Sequence, residues 1–277
     1  MGLRINTNVT SLAAQRTLGN TATDQAKTLG KLSSGTRIVR SSDDAAGLAI
    51  SEKLKAQIRG TNQAERNAND GISMIQVAEG GLNEVSNILV RMRELSVQAA
   101  SDTVGDSERA FTDLEYQNLK QEIDRISQVT EFNGKKLLNG EGETYDFQIG
   151  INNDDFQDRI KFNTEMLNSS IGSLQVDGLG VANKADAQNG LTAIDSAIQS
   201  ISGKRAELGA KQNRLTSTVS NLQTSSENLS AANSRIRDTD YAAETAKNAK
   251  LNILNAAGTS VLAQSNAQGS SALKLIG

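Results

Sequence analysis

The sequence predicts a mainly α-helical protein built as a long coiled-coil bundle, a rod carrying a small β-hairpin region. Three observations carry that expectation. Apolar residues recur at every seventh position through Ile194, Ile201, Leu208, Leu215, Leu222, Leu229 and Ile236, and a second row runs beside them with Leu191, Ile198 and Val219 apolar but Arg205, Gln212 and Ser226 polar. A heptad sustained this long describes a helix whose seam lies against another helix, and at ~1.5 Å per residue it would run roughly 65 Å, longer than a small domain is wide. The 277 residues include no proline, where ~14 would be usual. Proline breaks helix interiors, so its absence leaves long helices uninterrupted. Aromatic residues are only 3%, which leaves the packing to Leu, Ile, Val and Ala.

Missing residue types exclude much chemistry. With no His and no Cys, thiol nucleophiles, disulfides, Cys or His zinc sites and imidazole acid–base catalysis are all removed. No apolar run with basic flanks and a cleavage site marks a signal peptide, and no stretch reaches the ~18 apolar residues of a membrane span. A net charge of −3 with both signs interspersed gives no reason to expect a nucleic-acid partner. An enzyme is not expected, and no cofactor is.

Taken in order, residues 4–32 read as a helix, with Ile5, Leu12 and Ala26 in one heptad position and Ala22 and Leu29 in another. A Ser-, Gly- and Arg-rich stretch from Ser33 to about Asp44 follows, and Asp43 or Asp44 is placed to cap the next helix. That helix alternates steps of three and four through Ile75, Ala78, Leu82, Val85, Leu89, Met92, Ser96 and Ala99, and its Gly60, Gly71, Gly80 and Gly81 weigh against continuity. A turn near Asp102–Asp106 leads into a helix from Ser107 to Val129, with Phe111, Leu114, Ile123 and Ile126 expected inward. The period then falls to two in Tyr145, Phe147, Ile149 and Ile151, and again in Ile160 and Phe162. Asn152-Asn153-Asp154-Asp155 between them is a turn sequence, so residues 143–163 read as a β-hairpin. A loose segment from Leu167 to Ala187 precedes the long heptad helix.

The two ends differ from the rest. Between Met1 and Thr23 only Arg4 and Arg16 are charged, and from Leu251 to Gly277 only Lys274, in a chain that is 22% charged. Termini commonly fray, but apolar heptads without charge are what an interface core looks like. Fully burying one Leu or Ile is worth ~1.5–3 kcal/mol. The candidate assembly residues are Leu3, Ile5, Val9, Leu12, Leu251, Leu254, Val261, Leu262, Leu273, Leu275 and Ile276. Such helices are marginal alone in water, so both ends are expected to order only on assembly.

Several short runs, met in this order, carry a resemblance. They are Ile5-Asn6-Thr7-Asn8 with Leu12; Leu32-Ser33-Ser34-Gly35 through Asp43-Asp44-Ala45-Ala46-Gly47-Leu48; Arg93-Glu94-Leu95 with Val97-Gln98-Ala99; and Phe132-Asn133-Gly134. Glu227-Asn228-Leu229, Ser234-Arg235-Ile236 and Asp240-Tyr241-Ala242 complete the set. Together they resemble bacterial flagellin over about residues 1–165 and 187–277. The resemblance implies a secreted structural subunit that polymerises into the extracellular flagellar filament and serves swimming motility. It implies type III export, with an export chaperone, the filament cap and hook-associated junction proteins as partners beside the chain itself. It also implies paired N- and C-terminal helices: residues 1–44 and 237–277 as inner-tube helices with a spoke, residues 45–236 as a rod domain, and no outer domain.

In some members of that family a basic residue, a leucine and a glutamate are recognised by Toll-like receptor 5. Arg91, Leu95 and Glu115 occupy the matching positions, and because none falls on the three-four seam, a surface position is expected for each. The competing reading is protofilament packing with a solvent-side ion pair. Other readings are weaker. The oxygen ligands Asn152, Asp154, Asp155 and Asp158 lack calcium-loop spacing, and Gly203-Lys204 lacks the preceding glycine of a phosphate loop. A hook–filament junction protein and a coiled-coil adaptor remain as rivals; the adaptor would tolerate loss of the ends.

Overall fold

In the computed structural model residues 7–141 and 143–274 are described, with side chains up to residue 267. In chain order they form α1 (Val9–Ser34), α2 (Ala45–Ala99), α3 (Asp106–Val129), β1 (Glu131–Phe132), β2 (Lys135–Lys136), β3 (Thr144–Gln148), β4 (Arg159–Asn163), a 3-10 turn (Glu165–Leu167), α4 (Lys184–Arg237) and α5 (Tyr241–Lys274). The chain divides into two compact units, one of residues 1–56 and 228–277 and the other of residues 57–227. The divisions fall within α2 and α4, twelve and nine residues from the boundaries at 44/45 and 236/237 read from the sequence.

The larger unit holds the apolar core. Ile75, Ala78, Leu82, Val85, Leu89, Met92, Ser96 and Ala99 of α2 are all fully buried, and Ile194, Ile201, Leu208 and Leu215 of α4 join them. The three-four alternation of one helix and the heptad of the other thus supply one seam. Burial fades along α4, where Leu222 is only half-buried.

α2 is unbroken across its glycines, because several of them are places where the β region comes close. A β-carbon at Gly60 would lie 2.9 Å from Ile151, one at Gly71 would lie 3.2 Å from the Phe147 ring, and one at Gly81 would lie 2.7 Å from Leu138. The missing side chains make room for the hairpins to pack, which offsets the helix propensity glycine forfeits.

α3 corrects the sequence reading. Phe111 and Leu114 are 72% and 63% exposed, while Tyr116 and Ile123 are fully buried and Ile126 packs against the core. At ~100° per residue, the nine positions from Leu114 to Ile123 span half-turns, so the two lie on opposite faces. The buried stripe of α3 is obscured by polar members: Arg109, Lys120 and Ser127. Arg109 folds back to donate to the carbonyls of Ala99 and Ser101, each at 2.9 Å, and so ties down the α2–α3 turn.

Two antiparallel hairpins follow. Asn133 (φ 51°) and Gly134 (φ 76°) both take left-handed backbone between β1 and β2, the requirement of a type I′ turn. The anticipated hairpin pairs Tyr145 with Phe162 and Phe147 with Ile160. Its tip is held by Asp154, whose Oδ1 accepts the amides of Phe156 and Gln157. The segment after the hairpin is not loose. Leu167, Leu174, Val176 and Val181 are buried in the core. Asp113 accepts the Val181 amide at 2.8 Å, and the Lys120 ammonium donates to the carbonyls of Asp177 and Leu179. Lys204, whose pKa is lowered by desolvation, donates to the Asn168 carbonyl.

The smaller unit is built on α1 and α5. Asn8 caps α1, its Oδ1 accepting the Ser11 amide at 3.1 Å, and Gly35 in left-handed backbone (φ 68°) ends it. The segment after Gly35 runs beside the α4–α5 junction: Thr36 bridges to Asp238, the Arg37 amide donates to the Arg237 carbonyl at 2.6 Å, and the Thr239 amide donates to the Gly35 carbonyl at 3.0 Å. Of the two candidate caps, Asp44 is the one that caps α2, while Asp43 closes the turn before it. Asp43 accepts the amides of Val39 and Arg40, and Asp44 accepts that of Gly47 at the start of α2.

Candidate assembly interface

α1 and α5 pair antiparallel, and polar side chains join them. The Asn8 amide donates to the Ser265 carbonyl at 2.9 Å, Thr10 and Ser265 share a hydroxyl hydrogen bond at 2.8 Å, and Ser11 donates to Asn266 at 2.7 Å. Seventeen residues on from Asn8, Gln25 exchanges amide hydrogen bonds with Asn252 and Asn255. Between these layers Gly258 faces Leu18 closely enough that a β-carbon there would lie 3.1 Å from its Cδ1.

The apolar residues mostly look elsewhere. Of the sequence-derived assembly residues, Val9 is 62% exposed, Leu12 52% and Val261 55%; Leu254 is also exposed and Leu262 half-buried. Only Leu251 is buried. Leu29 and Ile253, which the sequence reading left out of that set, are exposed as well. Leu3, Ile5, Leu275 and Ile276 lie outside the described residues, and of Leu273 the side chain does. The usual amphipathic arrangement, apolar inside and polar outside, is thus broken in this helix pair: polar side chains share the seam with Leu18, Leu251 and Leu262 while other apolar residues face out. Asn, Ser, Thr and Gln side chains make the hydrogen bonds that join the helices. Sequence reasoning missed this because polar heptad positions carry no hydrophobic signal.

The second candidate site lies on α2 and α3. The Arg91 guanidinium donates to Glu115 at 2.9 Å and to Glu94 at 3.0 Å, with Arg91 and Glu115 both about half exposed. The Glu115 hydrogen bond, then that of Glu94, raises the Arg91 pKa further above its ordinary value. Val90 and Val97 on α2 and Phe111 and Leu114 on α3 are also exposed. Leu95 departs from expectation. It is 2% exposed and belongs to the core, because the buried stripe of α2 is wider than the three-four seam alone.

No group of three or more metal-ligating side chains occurs among the described residues, and no described helix is long and apolar enough to cross a membrane. Long helices, one apolar core and a terminal helix pair with outward apolar rows define a helical structural protein. Comparison with known proteins gives the family. The bacterial flagellin N-terminal helical region matches residues 5–143, and the C-terminal helical region matches residues 191–276. A flagellin of Halalkalibacterium halodurans is 44% identical over 98% of this chain and 99% of its own, and one of Bacillus subtilis is 43% identical over 99% and 100%. A Bacillus cereus flagellin structure, 33% identical, aligns with a TM-score of 0.50 over 61% of this chain and 94% of that one. A Vibrio parahaemolyticus structure described as a putative flagellar hook-associated protein shares the fold alone, at 15% identity and a TM-score of 0.60 over 71% of this chain and all of that one. The chain belongs to the bacterial flagellin family. It is a structural subunit of the flagellar filament and not an enzyme.

Proposed function

We propose that this chain builds its filament by burying the outward apolar rows of α1 and α5 against neighbouring copies. The observation that carries the reading is the outward apolar row of the helix pair: Val9, Leu12, Leu254 and Val261 stay exposed while polar side chains help join the helices. Burial of each such Leu or Val on polymerisation is worth ~1.5–3 kcal/mol. Residues 1–44 and 237–277 then supply the inner tube with its spoke, and residues 45–236 supply the surrounding shell, with no outer domain among the described residues. The subunit is exported through the flagellar type III apparatus with a chaperone, and it meets the cap and hook-associated junction proteins at the filament ends.

Seeded polymerisation of the full chain and of a version ending at Lys250 tests the reading by sedimentation and negative-stain microscopy. Long tubes from the full chain and none from the truncation support it. If both polymerise, the C-terminal interface is misassigned; if neither does, a junction or adaptor protein is the better description.

A second surface is proposed around Arg91 and Glu115, whose exposed ion pair is flanked by Val90, Phe111 and Leu114. It serves protofilament contacts in the filament and Toll-like receptor 5 recognition in the monomer. Leu95, being buried, supports this surface from beneath. Purified monomer inert in a receptor reporter-cell assay removes the receptor role and leaves the protofilament role standing.

A further inference from the structure

The α1–α5 seam contains a layer whose hydrogen bonding fails. The register is set on both sides of it by antiparallel partners: Ser11 meets Asn266, Leu18 faces Gly258, and Gln25 meets Asn252 and Asn255. Continuing by three residues along α1 and by four back along α5 brings Thr28 and Asn248 into the next layer, with Glu244 one turn beyond. Thr28 is fully buried, and its hydroxyl has no hydrogen-bond partner. The Asn248 Oδ1 and Glu244 Oε1 atoms are likewise buried and accept no hydrogen bond, Glu244 having Lys247 at 3.6 Å as an ion pair instead.

Buried polar atoms without partners oppose the structure that buries them, because each had water as a partner before. A helix pair joined mainly by side-chain hydrogen bonds has little apolar contact to offset that. Elsewhere in the seam every polar residue named above finds a hydrogen-bond partner; Thr28 Oγ1, Asn248 Oδ1 and Glu244 Oε1 do not.

We propose that the Thr28–Asn248–Glu244 layer is a built-in destabiliser that keeps α1 and α5 from pairing stably within a single subunit, so that pairing awaits the apolar contacts of the filament. The inference rests on the assembly reading above and assigns its conformational control to one layer. Its consequence is specific: giving this layer apolar partners makes the terminal pair form early.

The test is the double variant Thr28→Val with Asn248→Leu, followed as monomer by amide hydrogen exchange and far-ultraviolet circular dichroism. Thr17→Val is the control, since Thr17 is exposed and bonds only within its own helix, to the Ala13 carbonyl. The proposal expects amides of α1 and α5 to exchange at least about tenfold more slowly in the double variant than in the parent, with added helical signal. The control should leave both unchanged. The single isostere Thr28→Val should give a smaller change of the same sign, which covers the case in which Asn248→Leu disturbs α5. Exchange unchanged in both layer variants, or slowed equally by Thr17→Val, overturns the proposal. Parent and variants that all polymerise while the layer variants show no added protection leave the assembly reading intact and remove only this inference. A parent that fails to polymerise under seeding removes the reading on which it rests.

Discussion

The two units of this chain use helices in opposite ways. In the larger, α2 and α4 bury apolar residues against each other, and Leu82, Leu89, Ile194 and Ile201 are fully enclosed. In the smaller, α1 and α5 meet through Asn, Gln, Ser and Thr and leave Val9, Leu12 and Val261 in solvent. The first arrangement is what folding of a single chain requires. The second, in the assembly proposed above, withholds the apolar surface for use between chains. On that proposal the same heptad grammar serves folding in one unit and assembly in the other, and what separates them is which residue type occupies the seam.

The largest expected contrast comes from truncating one leucine in each unit. Leu89→Ala should cost the monomer about 2–5 kcal/mol in denaturant unfolding, as core leucines do. Leu12→Ala should change monomer stability by less than ~0.5 kcal/mol. It should, however, raise the critical concentration for polymerisation by about tenfold or more. Equal effects of the two on the monomer would dissolve the contrast.

Neighbouring glycines on α2 give a second comparison, of opposite signs. A β-carbon at Gly81 would meet Leu138 at 2.7 Å and Thr130 at 2.8 Å, whereas one at Gly80 would meet nothing within 4 Å. Gly81→Ala should therefore lower the melting temperature, by an overpacking penalty of about 1–3 kcal/mol. Gly80→Ala should raise it, by up to ~1 kcal/mol from helix propensity.

A smaller effect is expected at the exposed ion pair. Arg91→Ala should change unfolding of the monomer by less than ~1 kcal/mol. Its signature should instead be weaker filament contacts, read as faster depolymerisation on dilution.

The smallest concerns acid. Backbone amides of Arg40 and then Val39 hold the Asp43 carboxyl below its ordinary pKa. A group depressed in the folded state stabilises above its unfolded pKa of about 3.9, and that stabilisation is lost as pH falls through the lower folded value. Carboxyl titration by NMR should place Asp43 below an unstructured aspartate, and Asp43→Asn should remove this contribution to the acid limb.

Much of the larger unit was legible because its signal was apolar and periodic. Every residue of the α2 alternation is buried, and the β-hairpin lies where the period fell to two. The errors have physical causes. Phe111 and Leu114 were placed inward on hydrophobicity alone, although the spacing sets Leu114 opposite Ile123 and turns Phe111 well away from it. Leu95 was kept out of the core by too narrow a stripe. The Asn133-Gly134 turn was read only as part of a family likeness, although Asn-Gly is itself the strongest short hairpin signal. The charge-poor termini suggested an interface, but the polar seam between α1 and α5 was silent, since no hydrophobic pattern reports which polar residues will face one another.

The central claim is that the terminal pair is stabilised by other copies. Amide hydrogen exchange compared between monomer and filament tests it most directly. The account predicts that in the monomer α2 and α4 amides around Leu82, Leu89 and Ile201 are strongly protected while those of α1 and α5 exchange rapidly, and that the filament protects all four. Protection of α1 and α5 in the monomer as strong as that of the core would contradict it.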